Sequence, residues 1–310
     1  MINKVFVVIL NWNRAKDTID ALVSVSNLTI KDYKLDVIVI DNASSDNSLR
    51  EITSKTQKLT RKLITFHIIK NKENLGFAAG NNVGLMYALK NKADFVMTLN
   101  NDTVVHPDLL IRLIEAARRN PDLGSASPKI YFAKGFEFHK DRYIKTDLGE
   151  VLWYGGGDID WANVYGKTRG VDEVDKGQYD KVEETDFATG ACMFIRRNVL
   201  EKSGLFDEKY FMYYEDTDLS LRIKKNGFKL FYIPQAIVWH KVAQSSGIGS
   251  ELNYYFITRN RLLFGMKYAK IRSRFALYRE SLRLLSSGRK WQKKGVIDFY
   301  LGRFGKGSWR

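Results

Sequence analysis

Four times within its first 120 residues the chain passes from a short apolar stretch into polar turn residues and then into a segment with apolar residues at helical spacing. KVFVVIL runs into Asn11-Trp12-Asn13 and the helix-patterned RAKDTIDALVSVSNL. LDVIVI runs into Asp41-Asn42-Ala43-Ser44-Ser45-Asp46-Asn47 and SLREITSKTQ, LITFHII into Asn71-Lys72-Glu73-Asn74 and FAAGNNVGLMYALKN. ADFVMTL ends on Asn100-Asn101-Asp102 before PDLLIRLIEAARRN. Strands separated by helices join a sheet through crossovers, so the repeat predicts an α/β chain with a mainly parallel, Rossmann-like sheet flanked by helices. The pattern lines up Asn11, Asp41, Asn74 and Asp102 along the carboxyl edge of that sheet, where ligands bind. Singly, each such residue also reads as a helix cap.

Beyond this half, the stretch from about Ser127 to Lys181 is glycine-rich and irregular, and reads as hairpins or a loop over a site. TDFATGACMFIRR is strand-like, KLFYIP and AIVWH suggest two further strands, and the helix between them opens on Glu215-Asp216-Thr217-Asp218. The expected organisation is one α/β domain over 1–246, in two halves (1–126 and 127–246), followed by a helical, basic extension over 247–310.

Two common phosphate-binding loops are missing. No GxGxxG follows the first strand, and the GKT at Gly166 lacks the glycine five residues earlier that a Walker A loop requires. If the sheet holds a nucleotide, side chains and a divalent ion must do what those glycine loops do. An Asp and a His at two strand ends, Asp102 and His240, can bind Mn²⁺ or Mg²⁺, with diphosphate oxygens and water completing the shell. Alone, a His such as His240 is more often a hydrogen-bonded structural residue. In the same way, Glu215 and Asp216 can be first-turn charges set against a helix dipole. They follow a dense aromatic run, FDEKYFMYY, that can form an acceptor wall.

Taken in order, VVILNWN, VIVIDNASSDNS, NKENLGFAAGNNVGL, LNNDTVV, TGACMFIRR, GLFDEKYFMYYEDTDLSLRIKKNGFKL and VWH resemble the successive blocks of family-2 glycosyltransferases of the GT-A fold. The resemblance covers roughly residues 1–265 and lies nearest the rhamnosyltransferase and galactofuranosyltransferase subgroup. It implies that Asn11 and Asp41 hold base and ribose, with Asn13 and Asp46 nearby, and that Asn74, Gly80 and Asn81 line the nucleotide-sugar pocket. It implies that Asp102 ligates a divalent metal with His240, that Asp216 is the base, and that Glu215 is its neighbour. Many relatives carry carboxylates where this chain has Asn100 and Asn101, so Asn100 is expected to face nucleotide while Asp102 alone brings full charge to the ion. The implied reaction is a single inverting displacement at the anomeric carbon of a donor such as dTDP-rhamnose or, second, a UDP-hexose.

Lys and Arg outnumber Asp and Glu 50 to 35, and much of the excess lies in MKYAKIRSRFALYRESLRLLSSGRKWQKK, where bases alternate with aromatic and aliphatic residues. No nucleic-acid motif accompanies that charge, and an anionic membrane face carrying a polyprenyl-diphosphate-linked glycan acceptor suits it better. A lone Cys192, no signal peptide pattern and no long apolar run place the chain in the cytoplasm, peripheral to the inner face of the membrane. The apolar faces of the tail can also pair two subunits. The alternatives are a nucleotidyltransferase, for which NWNRAKD offers no triphosphate loop, and a non-catalytic glycan- or membrane-binding module.

Overall fold

The structure is a computed structural model that describes residues 3–242 and 249–309. In chain order the first half comprises β1 (Asn3–Asn11), α1 (Ala15–Ser26), β2 (Tyr33–Asp41), α2 (Ser48–Leu59), β3 (Ile64–Lys70), α3 (Gly76–Lys90), β4 (Phe95–Asn100), β5 (Thr103–Val105) and α4 (Leu109–Arg119). The second half adds β6 (Leu123–Phe132), β7 (Leu152–Tyr154), β8 (Gly157–Asp160), β9 (Tyr165–Thr168), β10 (Glu183–Glu184), β11 (Cys192–Arg196), α5 (Arg197–Ser203), α6 (Glu215–Lys225) and β12 (Lys229–His240). Three helices follow, α7 (Glu251–Tyr268), α8 (Ile271–Ser287) and α9 (Lys290–Tyr300).

The main sheet runs β10-β12-β6-β11-β4-β1-β2-β3. β3, β2, β1 and β4 are parallel, as the crossovers demand, while β11 is antiparallel to both β4 and β6. Central strands covered on both faces are apolar at every position, and β1 shows it. Val5, Val7 and Ile9 face one core with Leu22 of α1 and Leu113 of α4, whereas Phe6 and Val8 face the other with Leu85 of α3. α3 sits close to the sheet because it presents glycines: a Cβ on Gly84 would lie 2.3 Å from Val8, and one on Gly80 2.7 Å from Leu10.

The second half is more regular than its composition suggests. Ser127 lies inside β6, a ten-residue strand buried almost throughout, and irregularity begins only after Phe132. The β8–β9 hairpin then provides one of the expected excursions. The strand-like segment around Cys192 narrows to Cys192–Arg196. KLFYIP and AIVWH form one strand, β12, whose pairing with β6 shifts register between Ile233 and Ile237. Pro234 sits in that shift, where a missing backbone donor costs the ladder least. The expected boundary at 246/247 lies outside the described residues.

Candidate active site

Strands β1 and β2 pair in register, Asn11 against Asp41, so two polar ends stand side by side. Asn11 donates from Nδ2 to Asp41 Oδ1 (3.2 Å) and Ser44 Oγ (3.0 Å), and accepts from the Thr18 hydroxyl (2.7 Å). Asn101 in turn donates to Thr18 Oγ1 at 3.0 Å. This chain ties the tips of β4, β1 and β2 together, and Asn101 takes part as a donor, which a carboxylate cannot be. Asn13 has a positive φ of 54°, tolerated better by Asn than by most residues, and accepts from Ser45 N at 2.7 Å. Asp46 accepts from Ser48 N at 2.9 Å at the start of α2.

Asn42, which sequence reasoning treated as a turn residue, is a hub. It donates to Asn74 Oδ1 (2.9 Å) and Gly76 O (3.2 Å) and accepts from Asn71 Nδ2 (2.9 Å) and Leu75 N (3.1 Å). Every one of its polar atoms is used, which fixes the turn into α3. Asn74 also accepts from Gly76 N at 2.9 Å. The first donors of α3, on Phe77 and Ala78, go to the carbonyl of Phe211. Gly80 and Asn81 face inward: Gly80 packs on Leu10 and the Asn81 amide donates to Phe77 O.

At the next strand tip, β12 pairs with β5 so that His240 faces Thr103 and therefore stands beside Asp102. His240 Nε2 lies 2.9 Å from Asp102 Oδ1 and 3.4 Å from Asn100 Nδ2, and the Trp153 ring meets the imidazole edge-on at 4.7 Å. Both Asp102 and His240 are buried, and His240 Nδ1 has no partner among the described residues. Burial pushes the Asp102 carboxyl up, but the adjacent His240 outweighs it and holds the group below its usual value. The pair fits a small divalent cation, since octahedral bonds of ~2.1 Å put neighbouring donors ~3 Å apart. Among the described residues no third His, Cys, Asp or Glu joins them, so other positions would fall to ligand oxygens and water.

The acid pair is delivered by a strained turn. Phe211, Tyr213 and Tyr214 all have positive φ (64°, 67° and 75°), unusual for aromatic residues, and α6 begins at once with Glu215. Asn260 of α7 holds the turn by donating to the carbonyls of Tyr210, Met212 and Tyr213 at 2.7–2.9 Å. Arg259, also fully buried, donates to Lys209 O and Tyr210 O on one side and Gly305 O on the other.

Glu215 and Asp216 are chemically distinct. Asp216 accepts from Gly190 N (2.9 Å), Thr217 N (2.6 Å) and the Thr217 hydroxyl (3.1 Å), three bonds that favour its anion against a burial effect that raises its pKa. Glu215 Oε2 is buried without a partner, and burial followed by the Asp216 charge drives its pKa well above the usual value. Burial raises both carboxyls, Glu215 the more strongly, and the three bonds to Asp216 make it the better placed of the two to carry charge, a division of roles suited to a base. In the interval between its unfolded and folded pKa, Glu215 binds a proton in the folded state only, so stability falls as pH rises through that interval. Glu215→Gln, which copies the protonated form, is expected to keep most activity and to flatten the loss of Tm as pH rises above the ordinary carboxylate range; an unchanged slope would place the proton elsewhere.

Two cavities meet at Asp102. The first, of about 370 Å³, is lined by Trp12, Arg14, Asn42 and Asn74 on the sheet side and by Leu252, Lys306 and Trp309 from the C-terminal region. Its described lining holds two cations, Arg14 and Lys306, and a single carboxylate, Asp102. The second, of about 450 Å³, contains Trp153, Thr168, Glu215, Asp216 and His240. Phe77, Asn100, Asp102 and Met212 line both. Of the residues expected to bind nucleotide sugar, Asn74, Asn100 and Asn101 reach the first cavity, whereas Asn11, Asn13, Asp41, Gly80 and Asn81 do not line it. Lys306, Trp309 and Asn260 carried no local signal beyond the tail's basic aromatic pattern and an Arg-Asn dipeptide.

The cleft at the strand tips thus gathers Asp102, His240, Glu215 and Asp216 along one cavity, and comparison with known proteins identifies the class of the chain. Residues 6–204 match the model of Glycosyl transferase family 2, and the chain belongs to that family. It is 26% identical over 227 residues, 68% of each chain, to an N-acetylglucosaminyl-diphospho-decaprenol L-rhamnosyltransferase of Mycobacterium tuberculosis. To the low-salt glycan biosynthesis hexosyltransferase Agl10 of Haloferax volcanii it is 24% identical, over 85% of this chain and 76% of that one. Among solved structures, GalNAc-T7 with UDP, GalNAc and Mn²⁺ shares the fold at a TM-score of 0.67 and 18% identity, covering 97% of this chain and 56% of that one. The mannosyltransferase PcManGT from Pyrobaculum calidifontis, with GDP-Man and Mn²⁺, does so at 0.55 and 15%, covering 96% and 74%. The chain is a glycosyltransferase, and the nucleotidyltransferase alternative has no support.

Proposed function

We propose that the protein is an inverting transferase that moves a rhamnosyl or hexosyl group from a nucleoside diphosphate sugar to a lipid-linked glycan in cell-surface polysaccharide synthesis. The observation that carries this reading is the meeting of the two cavities at Asp102, with Asp216 in the second. The cationic first cavity suits the nucleoside diphosphate, the second suits an acceptor hydroxyl, and the sugar lies between. Asn11 and Asp41 act from beneath, fixing the loops that grip the nucleotide. Asn74, Asn100 and Asn101 face it, while Asn13, Gly80 and Asn81 support that wall from behind.

Asp216 removes the acceptor proton as the hydroxyl attacks the anomeric carbon from the face opposite the leaving diphosphate. A second carboxylate on the far face of the sugar is not required. Asp102 and His240 would hold Mn²⁺ or Mg²⁺, which when bound supplies Lewis-acid stabilisation of the leaving diphosphate. Arg14 and Lys306 add fixed positive charge at the same place. The names of the relatives support a polyprenyl-diphosphate-type acceptor, the rhamnosyltransferase above all. Among the described residues no helix is long and apolar enough to cross a membrane, so the acceptor is to be met at a surface, which we assign to the inner face of the cell membrane.

Incubation with nucleotide sugars and a polyprenyl-diphosphate-linked acceptor, with and without EDTA, tests the reading through the anomeric configuration of the product. Inversion, suppressed at least tenfold by the chelator, is expected. Retention of configuration would rule out the single displacement, and turnover indifferent to EDTA would remove the metal role of Asp102 and His240.

A further inference from the structure

Helix α8 divides its surface into three strips. One is inward: Leu277 is buried so closely on α7 that a Cβ on Gly265 would lie 2.1 Å from it, and Ser281 bonds Tyr300 of α9 at 2.7 Å. The next is apolar and uncovered, with Ile271 81%, Phe275 62%, Tyr278 45% and Leu282 47% exposed. Their spacing of four, three and four residues lines them up along one edge of the helix. Beside that edge stand Arg272, Arg279 and Arg283, all exposed and, among the described residues, without an ion-pair partner. The only acid of the helix, Glu280, points away and pairs with Arg261 at 2.8 Å.

An exposed apolar stripe of this length on a rigidly mounted helix calls for a covering partner. We propose that this face of α8 docks the enzyme on an anionic lipid surface, the apolar stripe entering the headgroup–acyl boundary and the three arginines meeting lipid phosphates. Charge favours this occupant over a second copy of the chain. A two-fold pairing through the stripe would bring two sets of unpaired arginines together with no acid on the exposed strips to offset them.

The mounting also relates this face to the site. Ser273 donates to Trp161 O at 2.7 Å, and Arg261 lies over the Tyr165 ring at 4.2 Å while donating to Asn163 O at 2.8 Å. α8 through Ser273, and α7 through Arg261, therefore rest on the β8–β9 hairpin, and Thr168 at the end of that hairpin lines the cavity proposed for the acceptor. Docking would fix the acceptor cavity relative to the bilayer from which a lipid-linked glycan rises. This inference rests on the lipid-linked acceptor proposed above.

Flotation of the full chain with phosphatidylcholine vesicles, with and without phosphatidylglycerol, provides the test, together with donor hydrolysis in vesicle-free solution. Binding is expected on anionic vesicles only, weakened by salt. Replacing all three arginines (Arg272→Gln, Arg279→Gln, Arg283→Gln) should cost roughly a hundredfold in affinity, at about fivefold per charge. Ile271→Ser with Phe275→Ser should weaken binding at least tenfold. Both variants should keep the wild-type Tm and donor hydrolysis, because none of these side chains lines a cavity of the site. Equal binding to neutral and anionic vesicles, or binding that survives both variants, would overturn the inference. So would a dimer that Phe275→Ser dissociates with no vesicle binding in the wild type. Loss of docking with hydrolysis intact would leave the transferase reading standing, whereas docking without turnover of any donor would reverse that outcome.

Discussion

Asp216→Asn is expected to lower kcat for sugar transfer by about 10³-fold, within the 10²–10⁴ range typical for removing a positioned base. The substitution keeps the size of the side chain and removes its charge. The aspartate is held by Gly190 N, Thr217 N and the Thr217 hydroxyl, and an asparagine oxygen can still accept some of these bonds, so the fold should persist. The side chain lines the cavity proposed for the acceptor and is absent from the described lining of the one proposed for the donor. KM for the nucleotide sugar should therefore stay within about threefold of wild type, with the loss falling on kcat. Steady-state kinetics with Glu215→Gln as the comparison separates charge from packing. Equal damage by both substitutions would mean that the pair acts as a structural unit rather than as a base and its protonated neighbour.

The largest effect on stability is expected at Asn260, about 50 residues from the turn it holds. Its amide donates to three carbonyls of the turn before α6, and the residue is fully buried. Asn260→Leu leaves the Met212 and Tyr213 carbonyls without this donor, while Tyr210 O keeps Arg259, at ~1 kcal/mol or more each, ~2 kcal/mol in all. For a chain of this size that corresponds to a fall in Tm of roughly 4–8 °C. The turn carries three aromatic residues in the left-handed region, a conformation that persists only where surroundings impose it. Releasing it should also misplace Asp216 and the Phe211 carbonyl that caps α3, so kcat should fall and donor KM rise together. Thermal denaturation and kinetics on one preparation check this; an unchanged Tm would show that Arg259 and the aromatic packing hold the turn without Asn260.

The first half was readable because each strand carries an apolar run that ends abruptly in polar residues, and a pattern of that kind survives into the fold. The pairing of Asp102 with His240 followed from two strand ends, although the register that joins them depends on β12 being continuous through Pro234. A proline inside an apolar run reads as a break, and only the bulge in the β6 pairing shows that it is not one. The site residues missed by sequence reasoning share a different property. Asn42 acts through partners about 30 residues away, Asn260 through partners about 50 away, and Lys306 and Trp309 reach a cavity opened by β1. No local period carries such contacts, since tertiary packing alone creates them. Conversely, Asn11 and Asp41 are at the expected strand ends but spend their polar atoms on Thr18, Ser44 and each other.

The central claim is that this cleft cleaves an activated sugar from a nucleoside diphosphate, with Asp216 as the base. The most direct measurement is release of nucleoside diphosphate from a panel of nucleotide sugars, with Mn²⁺ or Mg²⁺ and then EDTA, for wild type and Asp216→Asn. The account predicts slow metal-dependent hydrolysis of one donor, accelerated by a lipid-linked acceptor and lost in the variant. No release from any donor, even with lipid-linked acceptor extract present, would contradict it and leave a protein that binds glycan without turning it over.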